Sequence, residues 1–180
     1  MLISFTGAQS SGKSTLLQEC CNKVQFRKYH CVKEVTRKVA RERNVNINEA
    51  GGDITQLFIL NEHLHNHHIK GSALLDRCIM DGLVYTQYLH EKGDVSDWVL
   101  EYAERLYNML LPKLNIIFYT DPRDVPIIDD GQRSVNHEFR DNIIHKFEHL
   151  IDSKFVTDNV NIVRLIGDVN QRMDTILKTL

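Results

Sequence analysis

The chain has 180 residues, 22 Lys and Arg against 24 Asp and Glu, a formal net charge of -2, and 42% hydrophobic and 26% charged residues, with 9 Gly and 3 Pro. This excludes collagen-like, disordered and miniprotein classes and fits one domain over residues 1–180, long enough to bury roughly 70% of its unfolded surface without disulfides or a structural metal. No apolar run approaches the ~18 residues that span a bilayer, and the first residues read as a strand rather than a basic region leading into a cleavable apolar stretch, so a cytoplasmic protein with no membrane partner is expected.

The apolar run 2–6 predicts a first strand, and the pattern after it a helix over 13–24. That helix carries two of the four cysteines, Cys20 and Cys21; Cys31 and Cys78 complete the set. Without CxxC spacing, reduced and partly buried thiols are expected. A second strand is predicted over 29–35 and a helix over 36–44. Lys23 to Arg43 holds eight basic and two acidic residues, an excess of six positive charges in a chain that is otherwise acidic. Such a block is a solvated surface or one that meets a polyanion or phosphorylated ligand.

Further on, a helix is expected over 54–70, a strand over 72–75, helices over 79–91 and 96–111, and a strand over 114–120. Val135, Phe139, Ile143, Ile144, Phe147, Leu150 and Ile151 keep the spacing of one face of a long amphipathic helix. A strand over 161–166 and a helix over 169–180 complete the chain. Apolar runs alternating with helices indicate an α/β fold with a parallel sheet covered on both faces, whose ligands collect at the carboxyl ends of the strands.

Directly after the first strand, Gly7-Ala8-Gln9-Ser10-Ser11-Gly12-Lys13-Ser14-Thr15 satisfies GxxxxGK[ST]. A triphosphate has to be wrapped by backbone N–H groups at close range, which places Gly7 and Gly12 where a side chain would obstruct or φ is positive. Ser10, Ser11 and Thr15 share this cofactor-binding turn. Lys13 sets a charge on the β and γ phosphates, and Ser14 offers a hydroxyl to Mg²⁺. A GTPase is disfavoured because Asn22-Lys23-Val24-Gln25 lacks the Asp of a guanine reader. A motor-type ATPase is disfavoured because Asp76 is followed by Arg77 where a water-activating Glu is needed.

Other strand ends carry further candidates. Glu34 is placed to accept an acceptor hydroxyl's proton, with Arg37 one turn on to hold the acceptor. Asp76 is the candidate acid of the Mg²⁺ shell, and Arg77 grips an acceptor or a phosphate. Asp130-Gly131-Gln132-Arg133, with Arg140 seven residues on, reads as a lid over about 121–140. There an Arg neutralises charge on the transferring phosphoryl group, and closure excludes water. Gly167 to Arg172 either contacts a base through Arg172 or caps the last helix through Asp168. His63, His65, His67 and His68 contain no HExxH, so a helix facing an acceptor pocket or solvent accounts for them better than a metal does.

Taken in order, Gly7 to Thr15, Glu34 to Arg37, Asp76-Arg77 with Asp81 and Tyr85, Asp130 to Arg133, and Gly167 to Arg172 resemble the stations of small P-loop kinases. The nearest group is the nicotinamide-riboside kinase domain family, and deoxynucleoside and nucleotide kinases are more distant. The resemblance implies a P-loop kinase fold with a five-stranded parallel sheet, ATP with Mg²⁺, and transfer of the γ phosphate to a hydroxyl of a nucleoside or nucleotide. It makes Lys13, Glu34, Asp76 and Arg133 the catalytic set. Lys13 and Arg133 stabilise charge, Ser14 and Asp76 hold the metal, and Arg37, Arg77 and Asp130 meet the acceptor. Cys78 departs from the pattern, standing where deoxynucleoside kinases usually have Ser. Viral enzymes on this scaffold also act on hydroxymethylated bases in DNA. The basic segment 23–43 keeps DNA as an alternative partner, with the host cytoplasm as the setting. A non-kinase ATPase and an ATP-binding regulatory module are the competing classes.

Overall fold

A computed structural model describes residues 1–33, 35–123, 125, 136–152 and 160–180. Five parallel strands form one sheet: β1 (Leu2–Thr6), β2 (Tyr29–Val32), β3 (Ser72–Asp76), β4 (Ile116–Thr120) and β5 (Asn161–Leu165), in the order β2-β3-β1-β4-β5. The helices are α1 (Lys13–Asn22), α2 (Val35–Arg43), α3 (Asp53–Asn66), α4 (Ile79–Glu91), α5 (Asp97–Leu110), α6 (His137–Asp152) and α7 (Val169–Thr179). Right-handed crossovers between parallel strands place these helices on both faces.

Strand alternation divides the core. Ile3 and Phe5 of β1, Leu74 of β3 and Phe118 of β4 meet Leu16, Leu17 and Cys20 of α1 and Ile176 of α7. Leu2, Ala73, Leu75, Ile117 and Tyr119 turn the other way, toward Leu83 of α4, Leu106 of α5 and Phe147 of α6. The period of two in side-chain direction produces both layers from continuous apolar runs. β1 and β4 are buried throughout, whereas the edge strand β2 has no fully buried residue.

The expected strand over 29–35 is shorter, because pairing with β3 ends at Val32 opposite Leu75 and Val35 already opens α2. The expectation of four reduced thiols is also corrected: Cys21 and Cys31 form a disulfide. A single 3₁₀ turn, Val24–Phe26, buries Phe26 and folds the end of α1 back along β2, so residues ten apart in sequence become neighbours. Cys20 and Cys78 are free and buried, and burial pushes both thiols up to about 12. Among the described residues no helix is long and apolar enough to cross a membrane.

Candidate functional site

Phe5 pairs in register with Asp76, so the turn leaving β1 begins beside the carboxyl end of β3. Gly7 has φ +137°, and a Cβ there would stand 2.8 Å from both the carbonyl oxygen and the hydroxyl of Thr120. Only glycine fits this close approach. Gly12, at φ +87°, precedes α1 without a side-chain cap, so the first amides of that helix face the turn, an arrangement that favours anions. Ser10 also has positive φ, at 55°. Strain of this kind recurs where a loop has to present its backbone to a ligand.

The turn closes around Lys13, whose ammonium donates to the carbonyls of Gly7 at 2.8 Å and Ala8 at 2.6 Å and to Ser11 Oγ at 3.0 Å. Ser11 shares a 2.6 Å hydrogen bond with Thr120 Oγ1, which reaches the Thr6 carbonyl at 3.0 Å. Ser14 and Thr15 are exposed at the mouth. The Ser14 hydroxyl donates to Asp76 Oδ2 at 3.2 Å. A hydroxyl and a carboxylate on one side of a phosphate cradle fit Mg²⁺, which takes few protein oxygens and completes its shell with phosphates and water.

Asp81 ties this turn to the next strand end. Its Oδ2 accepts from Thr6 Oγ1 at 2.5 Å and from the Cys78 amide at 3.0 Å, and its Oδ1 accepts from Arg77 at 2.8 Å. Cys78 is the N-cap of α4 in a capping box with Asp81, which is how a thiol serves at this position. Arg77, at φ 75°, lies 5.2 Å from the centre of the Tyr85 ring, and the Tyr85 hydroxyl donates to Gln9 Oε1 at 3.3 Å. Arg77 therefore pairs with Asp81 and is also attracted by its neighbour Asp76.

Two adjoining hollows open here. The first is lined by residues 9–15 with Val35, Arg37, Asp76 and Arg77. The second is lined by Gln56, Ile59 and His63 of α3 and by Asp81, Gly82 and Tyr85 of α4. Thr36, Asn48 and Arg77 belong to both. Lys13, Ser14, Arg37, Asp76 and Arg77 thus line one hollow. Glu34, Asp130 and Arg133, and most of the lid expected over 121–140, lie outside the described residues.

Arg172 stands behind the turn rather than in either hollow. It is 2% exposed and donates to the carbonyls of Gly167, Ser11 and Asp121, each at 2.8 Å. This joins the cradle to the ends of β4 and β5. Arg140 is likewise buried, donating to the carbonyls of Pro122 at 2.7 Å, Val125 at 2.8 Å and Ser10 at 3.4 Å. Asp168 takes the capping role, exchanging 2.9 Å hydrogen bonds with Gln171 at the start of α7.

In the histidine cluster His65 and His68 are exposed while His63 and His67 are buried. Burial pushes the His67 imidazole down to about 4. Among the described residues no group of three or more His, Cys, Asp or Glu is arranged to hold a metal ion. Sequence reasoning missed Thr120, although it ends a strand, and gave no role to Gln9. It reached Asp81 and Tyr85 only through the resemblance.

A family model described as an AAA domain (AAA_28) matches residues 2–172. No curated protein matches the chain. Among solved structures it is similar to deoxyadenosine kinase from M. mycoides with dCMP and dCDP, at 15% identity and TM-score 0.70 over 99% of this chain and 97% of that one. NadR protein in complex with NAD and AMP-PNP is similar at 15% identity and TM-score 0.68, over 99% of this chain and 48% of NadR. Thymidylate kinase from Candida albicans follows at 14% identity and TM-score 0.65, over 99% and 89%. The fold is that of the P-loop kinases.

Proposed function

The chain belongs to this AAA domain family, and on that premise we propose that it is an ATP-dependent phosphotransferase, moving the γ phosphate of Mg-ATP to a hydroxyl of a nucleoside or nucleotide. The observation that carries the reading is the common wall: the hollow around Lys13, Ser14 and Asp76 and the hollow beneath α3 and α4 share Thr36, Asn48 and Arg77. Donor and acceptor bound in adjoining hollows meet there, and phosphoryl transfer needs little beyond positioning and charge stabilisation. The nucleotides named with deoxyadenosine kinase on the same fold support a nucleoside-like acceptor.

In this reading the amides of Gly7 to Thr15 bind the phosphates, and Lys13 exchanges its carbonyl partners for phosphate oxygens. Ser14 and Asp76 would hold Mg²⁺, which offsets phosphate charge. Arg37 and Arg77 position the acceptor. Glu34 takes its proton, and Arg133 with Asp130 acts from the segment between β4 and α6, in a cytoplasmic setting. A second reading has an observation of its own: Lys23, Arg27, Lys28, Lys33, Arg41 and Arg43 are all exposed on the segment that enters the cleft wall at Val35. Such cations suit a DNA acceptor.

The test offers labelled ATP with nucleosides, nucleoside monophosphates and hydroxymethylated DNA. ADP release that depends on an acceptor is expected, with Lys13→Ala lowering turnover about 10²-fold or more while the fold persists. Equal ADP release without any acceptor would identify an NTPase. Tight ATP binding with no turnover would identify a regulatory module.

A further inference from the structure

His63 is fully buried, and among the described residues neither of its ring nitrogens has a hydrogen-bond partner. Interiors rarely tolerate an unpaired polar group, so one that lines a hollow points to a ligand. The hollow is the second one, where His63 stands with Gln56, Ile59, Gly82 and Tyr85. Gly82 makes the room: a Cβ there would lie 3.1 Å from His63 Cδ2 and 3.0 Å from Leu60 Cδ2.

The charge of this hollow is balanced internally. Its ionic groups are Arg77 and Asp81, which pair at 2.8 Å, and the other Asp81 oxygen is taken by Thr6 and the Cys78 amide. Burial, then the neighbouring His67 and Arg77, hold His63 well below the usual imidazole range, so the ring is neutral near pH 7. A neutral imidazole offers one N–H donor and one lone-pair acceptor. With the flat Tyr85 ring and the aliphatic Ile59 around it, the surface suits an uncharged heterocycle with a hydrogen-bonding edge.

We infer that His63 determines acceptor specificity by hydrogen-bonding the edge of an uncharged nucleobase. The inference deepens the phosphotransferase reading and rests on it for the identity of the hollow as an acceptor site.

The experiment measures binding by calorimetry and transfer by kcat/KM. It uses natural deoxynucleosides, a nonpolar aryl deoxyriboside of similar shape, and nicotinamide riboside, with wild type, His63→Phe and His63→Gln. Wild type is expected to prefer its best natural nucleoside over the nonpolar analogue by about ten- to a hundredfold. His63→Phe should bring that ratio near one with the KM for ATP unchanged, and His63→Gln should restore part of it. If His63→Phe does not fold, Gly82→Ala, which presses a methyl onto the ring, should reduce the ratio instead. An unchanged ratio in the variants, or nicotinamide riboside as the best ligand, overturns the inference. Selective nucleoside binding that depends on His63 but comes with no transfer sinks the phosphotransferase reading and leaves the base contact standing as a binding site only. Transfer whose selectivity ignores residue 63 does the reverse, and no nucleoside binding at all removes both.

Discussion

Replacing Asp81 with Asn preserves shape and removes one charge from a site that is 2% exposed. The carboxylate accepts three hydrogen bonds, from Thr6, Cys78 and Arg77. An amide can serve only one side. With its oxygen toward Thr6 and Cys78, its NH₂ faces the Arg77 guanidinium, donor against donor. Flipped, it keeps Arg77 but sets two N–H groups against the Cys78 amide. In either orientation the guanidinium, whose side chain is 16% exposed, loses the carboxylate that pairs with it and keeps only the attraction of Asp76. Removing one partner of a buried ion pair costs about 3–5 kcal/mol. At about 2–4 °C per kcal/mol for a chain of this size, the melting temperature should fall by about 6–20 °C. Urea and thermal denaturation of Asp81→Asn, Arg77→Met and the double variant measure this. The double should recover much of the loss, since no unpaired charge remains. A loss below about 1 kcal/mol for Asp81→Asn, or strict additivity in the double, would mean that the pair does not sit in the low-dielectric setting argued here.

Gly7→Ala should cost about 1–3 kcal/mol from backbone strain alone. Because its Cβ would meet Thr120 at 2.8 Å, calorimetry should also find ATP affinity lowered at least tenfold; unaltered affinity would count against the cradle. Asp76→Asn should raise the Mg²⁺ concentration needed for half-maximal activity by more than it raises the KM for ATP, and an unmoved Mg²⁺ titration would remove Asp76 from the metal site. In denaturant without reductant only Cys20 and Cys78 should titrate with a thiol reagent, and all four after reduction. Cys31→Ser should lower stability by about 3 kcal/mol through loss of the short loop closure; four thiols before reduction would deny the bridge.

The order of elements was legible in the sequence because each core strand is an apolar run and each strand is followed by a helical pattern. The glycine-bearing turn was legible because Gly7, Gly12 and Lys13 belong to one short stretch of sequence, so their geometry is local. The second hollow was not, since it is assembled from α2, α3 and α4, and nothing in the spacing of His63, Gly82 and Tyr85 announces that they meet. The Cys21–Cys31 pairing was missed for the same reason: it depends on the turn that buries Phe26. For Gly167 to Arg172 the sequence left base contact and helix capping open; that Arg172 joins three carbonyls behind the turn follows from the packing of α7.

The two hollows hang from unequal supports. The cradle grows from β1, which is flanked by β3 and β4 and buried along its whole length, so its amides should be the last to exchange with deuterium. The wall of the second hollow includes Thr36 of α2, which follows the half-exposed sheet edge at β2. Under the proposed phosphotransferase reading, local opening can therefore reshape what is recognised while leaving the phosphate grip intact, and a lineage could change its preferred alcohol without rebuilding its hold on the triphosphate.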